Sequence, residues 1–127
     1  MLLEGYGVIP KMPSMTDYKF GDVILVPFPF TDQSDAKKRP AIVVSSQEYN
    51  KKLPDLILMA VTSQIKPASS FGEITITQWK QSGLVKPSIT KPIFTTIEKG
   101  LVLRKLGRLG SKDVEDLVIA LHSILGK

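Results

Sequence analysis

The chain has 127 residues, of which 43% are hydrophobic and 23% are charged, and its formal net charge is +5 at pH 7. This length accommodates one domain with one core. The sequence has no cysteine and one histidine, His122, which excludes disulfides, thiolate sites and metal sites built on several imidazoles. The positive charge favours an acidic partner such as nucleic acid, an anionic membrane or an acidic protein, although many soluble proteins carry such an excess for solubility alone.

The N-terminal residues differ in pattern from the rest of the chain. Residues 1–17 lack hydrophobic periodicity and are interrupted by glycines and prolines, which predicts a disordered extension before a folded domain at 18–127. They do not have the charged and apolar regions of a signal peptide, and no apolar run approaches the roughly 20 residues that cross a bilayer. We therefore expect a cytoplasmic protein with no membrane segment.

Most of the remaining sequence predicts β-strands. The candidate segments are β-branched runs or alternate between apolar and polar residues: Asp22–Val26, Ala41–Ser45, Leu56–Thr62, Ile74–Thr77, Ser88–Phe94 and Leu103–Leu109. Thr31–Lys38 is polar and rich in turn formers, which predicts an exposed loop.

The last segment changes to a helical period. Ser111 is a candidate N-cap, and acidic residues follow it in the first turns. Apolar residues then recur at helical spacing until Gly126 ends the helix: Val114, Leu117, Val118, Leu121, Ile124 and Leu125. Short strands followed by one helix predict a mainly β (α+β) fold, an SH3-like small β-barrel with a C-terminal α-helix.

The usual catalytic motifs are absent from this sequence. A Ser-His-Asp triad would need His122, which flanks the predicted apolar stripe and is better explained by packing. No glycine-rich nucleotide-binding motif occurs, so no cofactor is expected. Asp32 and Asp35 share one loop but are typical turn formers, and we predict no metal site.

The residues left for chemistry are suited to phosphate. Arg39 lies where the polar loop meets a predicted strand, and its guanidinium can bind two phosphoryl oxygens at once. Thr62, Ser63 and Gln64 end another strand with hydroxyls and an amide. Without further information, a solvated strand start and ordinary strand-end capping explain these residues better.

A second basic stretch runs from Lys86 to Arg108, where Glu98 is the only acid. Phe94 and Trp79 are near it in sequence, and basic side chains with aromatic neighbours suit single-stranded nucleic acid. A charged outer face with Trp79 partly in the core is an equally good interpretation.

The order of the motifs resembles the MazF/PemK family of toxins from bacterial toxin–antitoxin pairs, over roughly residues 18–126. The segments that carry the resemblance, in order, are Gly21-Asp22-Val23-Ile24-Leu25-Val26-Pro27-Phe28, Arg39-Pro40-Ala41-Ile42-Val43-Val44-Ser45, Val61-Thr62-Ser63-Gln64, Thr95-Thr96-Ile97-Glu98-Lys99 and Leu106-Gly107-Arg108-Leu109. The first two are fairly specific in combination.

The resemblance implies a homodimer that cleaves single-stranded RNA without metal, and a cognate antitoxin that blocks the RNA groove. The charge of the chain predicts that this antitoxin presents an acidic segment. Arg39 matches the family's catalytic arginine, and Thr62 matches the hydroxyl residue that holds the scissile phosphate. The predicted substrate-binding residues are Lys38, Ser63, Gln64 and Lys91.

This chain departs from the family pattern in two places. The loop before Arg39 lacks the frequent G-x-E-Q-x-G pattern, and Thr90-Lys91-Pro92-Ile93 replaces a stretch that carries an arginine and an acid in some members. Lys91 is the nearest substitute for that positive charge, and no general base is assigned.

Two other functions fit the same fold. One is a non-enzymatic toxin that poisons DNA gyrase, but such toxins depend on a tryptophan at the extreme C-terminus, whereas Trp79 is in mid-chain. The other is an RNA- or protein-binding barrel without activity.

Overall fold

The computed structural model describes residues 17–27, 38–68 and 70–126. Six strands, two α-helices and a 3₁₀ turn occur in them. In chain order they are β1 (Asp22–Pro27), β2 (Lys38–Val43), α1 (Gln47–Lys52), β3 (Asp55–Thr62), β4 (Thr75–Ile76), β5 (Ser88–Glu98), the 3₁₀ turn Lys99–Leu101, β6 (Arg104–Arg108) and α2 (Ser111–Ile124).

The six strands form one sheet in the order β4-β5-β3-β2-β1-β6, and every pairing is antiparallel. The sheet curls into a half-barrel with α2 packed on it. The predicted fold class, mainly β with a C-terminal helix, is therefore confirmed.

The central strands are buried on both faces, which explains why their sequences are continuous apolar runs. One face contributes Ile24, Val43 and Leu58 to a cluster that Tyr18 also enters. The other face contributes Val23, Ile42 and Met59, which pack with Leu117 and Leu121 of α2. Successive side chains of a strand alternate between faces, so neighbouring residues enter different clusters.

A buried carboxylate attaches α2 to the sheet. Asp113 accepts hydrogen bonds from the Thr77 amide (3.1 Å), the Thr77 hydroxyl (2.8 Å) and the Gln78 amide (3.0 Å). Charged acceptors with several donors form strong hydrogen bonds, so this contact fixes the start of α2 against the turn after β4.

Two expectations about α2 are wrong. Gly110 is the N-cap, and Ser111 is already in the first turn, because Asp113 holds that turn in place of a capping hydroxyl. Leu117 and Leu121 are buried, but Val118 and Leu125 are exposed. The buried stripe of the helix is narrower than the sequence predicts, because only the side chains in line with Leu117 and Leu121 pack against the sheet.

Other boundaries also differ from expectation. β2 begins at Lys38, so Lys38 lies in a strand and not in a loop, because β1 continues to Pro27 and pairs with it. The short helix α1 was not predicted; Ser46 caps it by accepting a hydrogen bond from the Tyr49 amide. The rest of the predicted loop, residues 31–37, and residues 1–16 of the predicted extension lie outside the described part of the chain.

None of the helices in the described ranges is long and apolar enough to span a bilayer.

Candidate functional site

A cleft of about 510 Å³ opens where β2 begins and β3 ends. Five of the six predicted site residues line it: Lys38, Arg39, Thr62, Ser63 and Gln64. Residues that are 23 positions or more apart in sequence meet here because β2 and β3 are antiparallel neighbours.

The strand register explains how the two predicted catalytic residues come together. Ala41 pairs with Ala60 in β2 and β3. Continuing the same register places Arg39 opposite Thr62, and directly opposed residues share a face of the sheet. The guanidinium and the hydroxyl are thus positioned by two neighbouring strands and not by a flexible loop.

The hydroxyl of Thr62 has a defined partner. Its Oγ1 accepts a hydrogen bond of 3.1 Å from the Gln64 amide. A hydroxyl has one donor in addition to its acceptor sites, so the proton of Thr62 stays available for a ligand oxygen. Ser63 and Gln64 are exposed next to it.

The facing wall is formed by the segment from Gly83 to Ser88 together with Arg104 and Leu106. Gly83 has φ of +90°, and a Cβ there would lie 2.2 Å from the Leu106 carbonyl oxygen. Leu84 is buried, and its amide donates to the Trp79 carbonyl (3.0 Å). At the other end, the Ser88 hydroxyl donates to the Lys86 carbonyl (2.9 Å). Val85 lies between these supports and is 88% exposed.

All charged residues that line the cleft are basic. Its charged lining residues are Lys38, Arg39, Lys86 and Arg104, and the residues that line it in the described structure include no acid. A concave surface lined by cations concentrates anions and favours ligands with several phosphates. The arrangement can bind an extended polyanion and stabilise extra charge on a phosphoryl group.

No cluster of three or more His, Cys, Asp or Glu side chains suited to a metal ion occurs in residues 17–27, 38–68 and 70–126.

Comparison with known proteins identifies the family. The sequence profile of the PemK-like, MazF-like toxins of type II toxin–antitoxin systems matches residues 19–125. The chain belongs to this family. A comparison with curated protein sequences gave no match.

Solved structures share the fold of this MazF-like toxin. An endoribonuclease from a mycobacterial species is 17% identical, with a TM-score of 0.68 over 88% of this chain and 94% of that one. An endoribonuclease in complex with its cognate antitoxin, also mycobacterial, is 17% identical, with a TM-score of 0.66 over 88% and 96% of the two chains. A MazE–MazF complex from Deinococcus radiodurans is 20% identical, with a TM-score of 0.66 over 87% and 97%.

Lys91 is the predicted site residue that does not line the cleft of this toxin. Its ammonium is 2.7 Å from Oε2 of Glu73, whose side chain is only 6% exposed. The hydrogen bond from Lys91, assisted by one from the Ser70 amide, lowers the pKa of Glu73 below its ordinary value. Lys91 therefore ties β5 to the segment before β4, and its predicted contact with substrate gains no support.

Five of the six basic residues in the stretch from Lys86 to Arg108 are divided among three places in the structure. Lys86 and Arg104 line the cleft, whereas Lys105 and Arg108 surround Asp22 and Lys91 pairs with Glu73. The sequence pattern groups these cations but does not distinguish Lys86 or Arg104 from the others. The strand periodicity of β6 could have separated Arg104 from Lys105, since adjacent strand residues face opposite ways. Periodicity alone would have grouped Arg108 with Arg104, and it is the register shift in the β1–β6 ladder that places Arg108 on the side of Lys105.

Trp79 does not line the cleft. It is partly buried against the α2 side of the core, and the Lys80 ammonium lies 5.7 Å from its ring centre. Of the two interpretations of Trp79, the structure supports partial burial in the core.

Proposed function

We propose that this toxin is an endoribonuclease that cleaves single-stranded mRNA without a divalent metal. The observation that carries the proposal is the cleft itself, which is lined by Arg39 and Thr62 together with three further cations. The fold shared with proteins described as endoribonucleases is consistent with it.

The reaction we propose is an internal transesterification. The ribose 2′-oxygen attacks the adjacent phosphorus, the bond from phosphorus to the 5′-oxygen breaks, and the products are a 2′,3′-cyclic phosphate and a 5′-hydroxyl. The proton that leaves the 2′-hydroxyl is balanced by the one that the departing 5′-oxygen gains. Because the nucleophile belongs to the substrate, the protein needs neither a cysteine nor a metal-bound water.

The protein supplies orientation and charge stabilisation in this scheme. The Arg39 guanidinium would bind the phosphoryl oxygens that gain negative charge, and the Thr62 and Ser63 hydroxyls would donate to the same oxygens. Lys38, Lys86 and Arg104 would hold the neighbouring phosphates and keep the chain extended. Holding the 2′-oxygen in line with the breaking bond lowers the activation free energy, because the entropy of orienting the reacting groups is already lost on binding.

The first test is cleavage of two matched oligonucleotides in EDTA. The ribose oligonucleotide should be cut at the same rate with EDTA or magnesium, and its product should carry a cyclic phosphate. The all-deoxy oligonucleotide should remain intact because it lacks the nucleophile. Cleavage of the deoxy strand, or complete loss of RNA cleavage in EDTA, would contradict the proposed mechanism; an intact RNA in both buffers would favour a non-enzymatic toxin or an inactive barrel.

We further propose a homodimer and a cognate antitoxin with an acidic segment as the partners of this toxin. The cation-lined cleft is complementary to such a segment, since carboxylates and phosphates bind the same guanidinium fork. An acidic antitoxin segment seated there would exclude RNA by occupying the same cations.

A further inference from the structure

A second cation-rich cavity lies beside the cleft. It has a volume of about 420 Å³ and is lined by Lys19, Asp22, Lys105, Leu106, Gly107 and Arg108. Leu106 lines both this cavity and the cleft, so strand β6 is the wall between them. We call this cavity the Asp22 pocket.

Asp22 organises the pocket from below the surface. Its side chain is 1% exposed, its Oδ2 accepts a 2.8 Å hydrogen bond from the Lys19 amide, and the Lys105 ammonium is 3.0 Å away. Its Oδ1 is buried and has no hydrogen-bond partner among the described residues; Nε of Arg108 is 3.8 Å from it. An orphaned buried carboxylate oxygen is uncommon and calls for an explanation.

The cations of the pocket face solvent, whereas the carboxylate does not. The side chains of Lys105 and Arg108 are 45% and 54% exposed, and Lys19 is exposed as well. Asp22 attracts Arg108 at ion-pair distance without taking a hydrogen bond from it, and one Nη2 hydrogen bond of 3.4 Å goes to the Phe20 carbonyl. A guanidinium has five N–H donors, so the fork is held in place with donors left for a ligand.

The position of the pocket fits a path for a nucleic acid strand. Arg104 pairs with Leu25 of β1 and Arg108 pairs with Asp22, and a register shift in the β1–β6 ladder lies between these two pairs. Arg104 and Arg108 therefore face opposite sides of β6. Because β6 is an edge strand of the described sheet, a single strand that leaves the cleft over this edge would meet Arg108 and Lys19 with its next phosphates. Three cations against one shielded carboxylate leave the pocket net positive.

We propose that the Asp22 pocket is a second phosphate-binding site, which holds the RNA chain beyond the nucleotides at the cleft. The inference rests on the proposed function. The buried Asp22 acts as a positioning residue: it holds Lys105 and Arg108 at the surface, and their remaining donors bind the phosphate. The missing hydrogen bond at Asp22 Oδ1 is explained if Asp22 holds Arg108 by ion pairing, while the guanidinium N–H groups of Arg108 donate to the ligand.

The test compares two lengths of 2′-O-methyl RNA, which cannot be cleaved because it lacks the nucleophile. One has about 4 nucleotides and the other about 12, within the range of single-strand site sizes. The variant is Lys19→Gln with Arg108→Gln; Lys105 is kept because it is the close partner of Asp22.

For the long RNA, the slope of log affinity against log salt should fall by about 0.7 for each phosphate that the variant no longer neutralises, and affinity should fall several-fold. For the short RNA, the affinity should stay within about twofold because the pocket is out of its reach.

Matched controls separate the pocket from bulk charge. Lys51→Gln with Lys112→Gln removes the same charge from exposed positions on the two helices and should leave the salt slope unchanged. Arg108→Lys should recover part of the slope, and thermal melts should agree with the parent. Equal slopes for parent and variant, or an equal drop in the control, would overturn the inference. Cleavage of ribose RNA by the parent is measured in parallel: if it is absent the proposed endoribonuclease fails, and if it is present with equal slopes only the second site fails.

Discussion

Arg39 is the side chain on which the proposed chemistry depends most. It lies on β2, is half-buried and lines the cleft, and it is the residue that matches the catalytic arginine implied by the family resemblance. Arg39→Ala should lower the single-turnover cleavage rate by about 10²–10³, the cost of removing one preorganised donor to a developing anion. Arg39→Lys keeps the charge but loses the planar fork, so it should be slow but faster than alanine.

Thermal melts provide the control for Arg39. The residue precedes the buried part of β2. Both variants should therefore melt close to the parent temperature and remain folded in the assay. A cleavage rate of Arg39→Ala within about twofold of the parent, far short of the expected loss, would mean that the site is assigned wrongly. A large drop in melting temperature would instead make Arg39 a structural residue.

The Glu73–Lys91 pair predicts a dependence of stability on pH. The pKa of Glu73 is lowered in the folded state, chiefly by the hydrogen bond from Lys91, relative to its ordinary 4.5. A lowered folded pKa stabilises the protein above the unfolded value, and this stabilisation is lost as pH falls through the folded value. Glu73→Gln should therefore melt earlier than the parent near pH 7. The difference should shrink as pH falls below 4.5 and vanish once the pH is below the lowered pKa of Glu73 in the folded protein.

Glu48→Gln is the comparison for this experiment. Glu48 pairs with Lys52 one helical turn away, and both side chains are more than 70% exposed. Exposed pairs of this kind contribute little, so Glu48→Gln should change the melting temperature less at neutral pH. A parent-like melting temperature for Glu73→Gln at pH 7 would show that Lys91 does not stabilise the fold through Glu73.

At the level of elements, the segment between β4 and β5 determines the shape of the cleft. Gly83 combines a positive φ with a 2.2 Å approach of any Cβ to the backbone of β6. Gly83→Ala should lower the free energy of unfolding by about 1–3 kcal/mol or more, because the backbone is strained and β6 has to move away. Cleavage should also fall, since Leu84, Val85 and Lys86 would shift with the turn.

Gly100→Ala is a matched substitution in the 3₁₀ turn between β5 and β6. A Cβ at Gly100 meets nothing within 4 Å, and φ is not positive there. Alanine should therefore be neutral or stabilise slightly by restricting the unfolded chain. Chemical denaturation of the two variants beside the parent measures both effects, and a Gly83→Ala protein as stable as Gly100→Ala would contradict the assigned role of Gly83.

At the level of the whole molecule, we expect two copies of the chain to associate. Several large apolar side chains are exposed on the described surface, among them Phe71 and Ile119, which line one shallow cavity together. Apolar surface of this kind, together with edge strands, is commonly covered in a symmetric dimer. Light scattering at micromolar concentration should give twice the chain mass, and a monomer at that concentration would refute the prediction.

The sequence alone determined the type and order of most elements. Six strands and the C-terminal helix followed from β-branched runs and from the change of period after Leu109, because hydrophobic periodicity reflects which side of an element is buried. The short helix α1 was missed because six residues are too few to show a helical period. The cap of α2 was misplaced because a buried contact to Thr77, 36 residues away, replaced a local capping hydroxyl.

The sequence also selected the chemistry of the site but not its full composition. Arg39 and Thr62 were selected by the resemblance to the MazF/PemK family, and Lys38, Ser63 and Gln64 adjoin them in sequence. Antiparallel pairing of β2 with β3 brings these residues into one cleft. Which other cations join them was decided by tertiary structure. Arg104 and Lys86 reach the cleft, Lys91 is taken by Glu73, and Lys105 and Arg108 are held by Asp22. A run of basic residues specifies charge. Strand alternation, the register shift between β1 and β6 and the buried acids packed against the strands decide where each charge is held.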